Sequence, residues 1–451
     1  MTDSVPASGT RRRFLSIAGS AAAGSLLQYP LTASAQTDAK RYAGTQINVA
    51  CWTAPYAKWL AEYVPEFEAQ TGIKVNFETA AFPIYNQRAD LELSTKGSAY
   101  DVLNITFIYV ARWINAGWFT PLNEFIDDHN RTPADWGKDD FLPAAVAPFR
   151  DAKKQIYGLP WLTEVSMSAA SRGDLFKAAG IAMPDTFEQL GTALKAVSGR
   201  DGVKGFVAEN NHGLTFIPFL MGFGGKVFRG PPDDLLPQLD SPEAIAAADY
   251  YCGLIRSYSP EGALSYNYDT ALNSLIQGKV NYTVMGNVYL SRLGEADSKV
   301  AKTVRFAMCP AGPAGRFPQV ASHAWGIPTG SKNKGAAWEF IRWAVSKQTA
   351  NKLLTERGYT SLPRKSIIES PEFTKRMTVN GQNLGELYVR TIEAANSGYM
   401  SYRTVHVYPQ LNQLFSKTIE RIVTGQASAA VGMREAQATA ITELRRAGVK
   451  V

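Results

Sequence analysis

From Gln46 onward, short runs of β-branched and aromatic residues alternate with stretches whose apolar residues recur every three or four positions, a pattern that points to a parallel sheet covered by helices. Residues 46–52 read as a strand. Residues 55–70 follow as a helix, with Trp59, Tyr63 and Phe67 four apart, Leu60 and Val64 beside them, and Gly72 as the stop. Residues 74–78 resume as a strand, completing a βαβ unit. A helix over 84–96, a strand over 101–107 and a helix over 109–116 extend the series. The second series opens with strands over 155–161 and 165–171 and a helix from Asp174 to Gly180. Thr186 with Gln189 three positions on then forms a capping box that starts a helix running to Ser198. Helices over 241–256 and 268–277 and strands over 279–285 and 304–308 follow. Asn333 is placed as the cap of a helix reaching Val345, and the last ninety residues read as helical, with Gly425 between two long segments.

At 451 residues, 45% hydrophobic and 19% charged, the chain has the balance of a folded globular protein with room for two or three domains. Its net charge of +7 is too weak a surplus to suggest a nucleic-acid partner. Three scattered cysteines, Cys51, Cys252 and Cys309, suggest neither a disulfide framework nor a CxxC site and are expected to be buried. The start reads Arg11-Arg12-Arg13-Phe14-Leu15, then a mildly apolar stretch, then Ala33-Ser34-Ala35. Those are the three parts of an export signal over residues 1–35, and the paired arginines match the twin-arginine type. No cysteine follows to carry a lipid, so the expected product is soluble and periplasmic.

Motifs for catalysis are missing: there is no GxSxG, P-loop or HExxH, and His129, His212, His323 and His406 are too dispersed to read as a metal site. Neither a metal nor another cofactor is expected. Gly222-Phe223-Gly224-Gly225 reads as a plain turn, and the pairs Asp127-Asp128, Asp139-Asp140 and Asp233-Asp234 as solvated loop charge. Aromatic residues are plentiful, with nine Trp, twenty Tyr and twenty-one Phe. Trp52 and Trp161 are placed at strand ends and Trp325 precedes Gly326, and ligands of open α/β sheets bind at strand ends. A flat ring suits the C–H face of a sugar, while polar groups suit its hydroxyls. Candidate hydroxyl partners are Asn104, Glu164, Asn287 and Arg403, with His212 beside them.

The ordered segments Phe67-Glu68 with Thr71-Gly72-Ile73-Lys74-Val75, Gly117-Trp118-Phe119, Tyr157-Gly158-Leu159-Pro160-Trp161, Gly326-Ile327-Pro328 and Trp338-Glu339-Phe340 give the chain a resemblance. It resembles the sugar-type extracellular solute-binding proteins of bacterial ABC importers, the maltose-binding-protein-like family. That resemblance implies a periplasmic binding protein fold: two α/β lobes with a hinge and an interlobe ligand cleft. The crossovers it implies lie near Glu164, at 321–324 and at 358–364. Lobe one is then 45–163 plus 322–358, and lobe two 164–321 plus 359–451. Glu164 falls where members of the family place a sugar-contacting carboxylate. The implied function is a non-catalytic, monomeric carrier that binds a sugar or sugar alcohol through Trp52, Asn104, Trp161, Glu164, His212, Asn287, Trp325 and Arg403. It would then deliver its load to a membrane permease. A carrier for a charged small molecule and a secreted glycosidase or lyase are the alternative readings.

Overall fold

The computed structural model describes residues 40–395, 403 and 405–451. The export signal expected at residues 1–35 lies outside the described residues. The first βαβ unit forms as patterned: β1 (Gln46–Trp52), a helix over Pro55–Thr71, and β2 (Lys74–Ala80), with β1 and β2 paired in parallel. The helix buries Tyr56, Leu60, Tyr63, Val64 and Phe67, one apolar stripe at helical spacing. Gly72 ends it at φ 72°, and a Cβ there would stand 2.8 Å from that of Ala43, so both conformation and space demand glycine.

The remaining strands are β3 (Val102–Ile105), β4 (Leu159–Ala170), β5 (Lys204–Val207), β6 (Phe228–Gly230), β7 (Asp234–Pro237), β8 (Val280–Gly286), β9 (Arg305–Met308), β10 (Val320–Gly326), β11 (Thr378–Val379) and β12 (Gln382–Asn383). The main sheet runs β2-β1-β3-β10-β4-β8-β5, with β9 also on β4; β6-β7 and β11-β12 are separate ribbons. β1 with β2, β1 with β3, and β5 with β8 are parallel, whereas β10 is antiparallel to β3 and β4, and β4 to β8 and β9. The sheet is therefore mixed, not parallel throughout. Its antiparallel members are the long-range partners β4 and β10, whose direction no local periodicity specifies.

β4 is a second departure. The two expected strands over 155–161 and 165–171 are one twelve-residue strand. Its first part, Leu159 to Val165, pairs with β10, and its second, Ser166 to Ala170, pairs with β8. At the changeover, Asn287 holds the chain from both sides, its backbone N–H donating to Val165 O at 3.0 Å and its Oδ1 accepting from Val165 N–H at 2.8 Å. Tyr388 Oη donates to Thr163 O at 2.9 Å, and Thr163 N–H donates to Ser361 O at 3.2 Å. Glu164 thus sits between two residues, Thr163 and Val165, that are each held by bonds from outside the strand.

The capping box forms as patterned: Thr186 Oγ1 accepts from Gln189 N–H and starts the helix Phe187–Val197. Asn333 occupies the first-cap position of Lys334–Ala344, but its side chain makes no capping bond and its Nδ2 donates to Gln46 O at 3.4 Å instead. Gly222 ends a short helix, Ile217–Gly222, and Phe223 and Gly224 make the expected turn, with Gly224 N–H on Met221 O at 2.9 Å. Asp140 is not the solvated charge expected of it. It accepts from Ser366 and from Arg364, whose side chain is buried between Trp136 and Phe141. Cys51, Cys252 and Cys309 are buried and free.

Candidate functional site

β1 delivers Trp52 at its last residue, where the strand emerges, and the indole stays partly exposed. Its ring meets Phe82 edge-on at 5.4 Å, His323 at 5.3 Å and Trp161 at 6.2 Å. Trp161 lies near the start of β4 rather than at a strand end, because β4 continues through the expected break. It is 2% exposed and stacks on Tyr56 at 4.0 Å with 13° between the planes. Trp325, on β10, is 0% exposed. Its N–H donates to Tyr56 Oη at 3.4 Å, and Phe340, Phe77 and Trp161 lie 6.0 to 6.2 Å away. As a stacking platform Trp325 is a correction: its indole belongs to the core behind Trp161, because β10 is an inner strand covered by the helix that carries Phe340.

His323 joins this aromatic group although it was passed over in the sequence. Besides Trp52 it lies 5.6 Å from Phe107, 5.8 Å from Trp161 and 6.1 Å from Phe82. Trp52 Nε1, Trp161 Nε1 and His323 Nδ1 are all buried and have no hydrogen-bond partner among the described residues. Three such atoms in one group call for explanation, since a buried polar atom left unpaired costs about 1–3 kcal/mol.

Charge borders the group. Arg403 is buried, donates from Nη1 to Val320 O at 2.7 Å and lies 4.9 Å from the Phe107 ring. Burial and the neighbouring Arg403 cation push the His323 imidazole down to about 3, so it is neutral at ordinary pH. Burial among protein atoms pushes Glu164 up to about 7, against the pull of Arg403. Glu164 nevertheless keeps some accessible surface. Gly286 leaves it room, since a Cβ there would stand 2.6 Å from Glu164 Oε2. Glu209 is also pushed up, to about 8, first by burial and then by Glu164 and Asp269, and its Oε1 has no partner among the described residues.

The other candidates fall into place unevenly. Asn104 is buried inside β3, with Nδ2 bonded to Ala324 O at 3.1 Å and Oδ1 without a partner among the described residues. Asn287 spends its Oδ1 on β4 and has Nδ2 left over. His212 stands apart from the aromatic group: it is buried, its Nδ1 lies 3.0 Å from Tyr251 Oη, and desolvation pushes it down to about 4. Its nearest described ring is Tyr251, not a member of the Trp52 group. Sequence reasoning missed Tyr56, Phe82, Phe107, Glu209 and His323. For His323 the available signal was its place two residues before Trp325.

The sequence profile of the family described as bacterial extracellular solute-binding protein matches residues 53–351, more than half of the chain. The mannitol-binding protein of Pseudomonas aeruginosa is 27% identical over 81% of this chain and 85% of its own. Among solved structures, a solute-binding protein of Agrobacterium radiobacter K84 in complex with ribitol has a TM-score of 0.79 at 22% identity, covering 88% of this chain and 98% of its own. One from Agrobacterium vitis S4 with bound D-mannitol has a TM-score of 0.78 at 23% identity, covering 90% and 99%. These likenesses establish the fold as that of ABC-transporter solute-binding proteins, and on the extent of the profile match the chain belongs to the bacterial extracellular solute-binding protein family.

Proposed function

We propose that this chain is the substrate-binding component of an ABC importer and that its ligand is a neutral polyhydroxylated molecule, most specifically a sugar alcohol. The observation that carries the reading is the aromatic group with three unpartnered polar atoms, bordered by Glu164 and Arg403. Rings cover C–H edges, and the spare N–H and imidazole groups suit hydroxyls. The names of the similar proteins, which bind mannitol and ribitol, support a polyol over a longer saccharide.

In this reading lobe one comprises 45–163 plus 322–358 and lobe two 164–321 plus 359–451, with a signal over 1–35 exporting the chain to the periplasm by the twin-arginine route. The ligand favours the closed form because it touches both lobes only there. The closed form then presents itself to the permease, and the ligand leaves chemically unchanged. Trp52, Trp161, Glu164 and Arg403 are the proposed contacts, with Asn104 and Asn287 supporting them.

A thermal-shift screen of mannitol, ribitol, maltose, spermidine and glycerol phosphate tests this. A ligand at a hundred times its Kd stabilises by about 2.7 kcal/mol, a shift well above scatter. A shift with the alditols is expected, and proton NMR of the released ligand should show it unaltered. The high-lying carboxyls Glu164 and Glu209 favour one second reading, a cationic ligand. A shift with spermidine and none with any alditol or sugar would establish that reading instead.

A further inference from the structure

We infer that His323 is a specificity-determining contact whose Nδ1 exchanges a hydrogen bond with one hydroxyl of the ligand. The inference rests on the polyol reading and sharpens it. His323 is 3% exposed, and its Nδ1 has no partner among the described residues. The pairing is irregular beside this ring. The β10–β4 register shifts between His323, opposite Leu162, and Ala324, opposite Pro160. Trp161 is thereby the extra, unpaired residue of a bulge in β4 next to the partner of His323, and Pro160, having no N–H to offer β10, marks where regular pairing breaks.

The chemistry of the neighbours makes the imidazole distinct. Trp52 and Trp161 contribute indole N–H groups that can only donate, and the rings of Phe82 and Phe107 offer no hydrogen bond of ordinary strength. Of the three rings here with an unpartnered polar atom, the neutral imidazole is the one able to accept as well as donate, depending on tautomer. Burial, helped by Arg403, keeps it neutral. A hydroxyl both donates and accepts, so it matches the set, whereas a methylene in its place would leave Nδ1 buried and unpaired. His323 therefore selects for a ligand carrying that hydroxyl.

The test compares the full chain with His323→Gln and His323→Phe by calorimetry, using mannitol, ribitol and the singly deoxygenated mannitols. The wild-type protein should bind one deoxy analogue roughly ten- to a hundredfold more weakly than mannitol. His323→Phe should lose a similar factor for mannitol and cease to discriminate against that analogue, and His323→Gln should retain part of both. On the wild-type protein, saturating mannitol should move the His323 imidazole nitrogen resonances, a readout that does not depend on any variant folding. Unmoved resonances, or unchanged mannitol affinity in a folded His323→Phe protein, overturn the inference while the polyol reading stands. Absence of alditol binding by the wild-type protein overturns both.

Discussion

Trp52 and Trp325 share a residue type and one aromatic neighbourhood, yet burial assigns them different work. Trp52 keeps part of its surface accessible at the end of β1, while Trp325 is enclosed by Phe77, Phe340 and Trp161. Trp52→Ala should therefore weaken alditol binding by about 1–3 kcal/mol in calorimetry with little loss of stability. Trp325→Ala should instead cost about 3–5 kcal/mol in urea unfolding, because it leaves a void the core cannot close. Reversal of the two effects would misplace both residues. Gly286→Ala probes Glu164 directly: its new Cβ would collide with Glu164 Oε2, the far end of a side chain that can swing aside. Ligand affinity should fall while the melting temperature barely moves; an unchanged affinity would remove the Glu164 carboxylate from the ligand's reach. Only some of this was legible beforehand. The order of family-like segments led to Glu164, but His323 and Glu209 are single polar residues whose partners come from distant stretches. The place of His323 two residues before Trp325 is a pointer to the neighbourhood, but it does not distinguish a group awaiting a ligand from one satisfied in a core.

At the level of elements, what could be read was what is local. The helix Phe187–Val197 begins where Thr186 and Gln189 place it, and each of the two side chains satisfies a backbone N–H. Removing that reciprocity with Thr186→Ala should cost about 1 kcal/mol, seen as a lower urea midpoint at unchanged slope. A cost near zero would mean the neighbouring bonds to Asp185 and Ala311 hold the helix start by themselves. β4 shows the opposite case. Thr163 and Glu164 interrupt its apolar run, so periodicity divides it in two, whereas in the fold the interruption is where one strand exchanges β10 for β8. The antiparallel placement of β10 was equally invisible, since its partners β3 and β4 lie more than a hundred residues earlier. Polar Ser322 and His323 also break its strand pattern. Pairing direction is a property of the assembled sheet and leaves no mark on the strand itself.

At the scale of the molecule, two carboxyls and two histidines held away from their ordinary ionisation give the fold a pH signature. Glu164 and Glu209 are raised to about 7 and about 8, from an ordinary value of 4.5. A carboxyl whose folded value is raised gives stability that is full below its unfolded value and is lost as pH climbs through its folded value, because the folded chain then holds protons the unfolded chain has released. His212 and His323 are lowered to about 4 and about 3 from 6.5, so the unfolded chain takes up protons there first, and stability falls as pH drops below about 6.5. Between about pH 4.5 and 6.5 the two pairs oppose each other. Above about pH 6.5 the histidines are neutral in both states, leaving the carboxyls to act through about pH 8. The ligand-free melting temperature should accordingly reach its maximum in mildly acidic buffer and decline from about pH 6.5 to about pH 8. Glu209→Gln removes the more strongly raised group and leaves Glu164 to titrate at about 7, so it should flatten most of that decline. Calorimetric scans of both proteins at constant ionic strength decide the matter. A wild-type melting temperature level across that interval, or a decline unaltered in Glu209→Gln, would mean that neither carboxyl is as shielded from water as its surroundings imply.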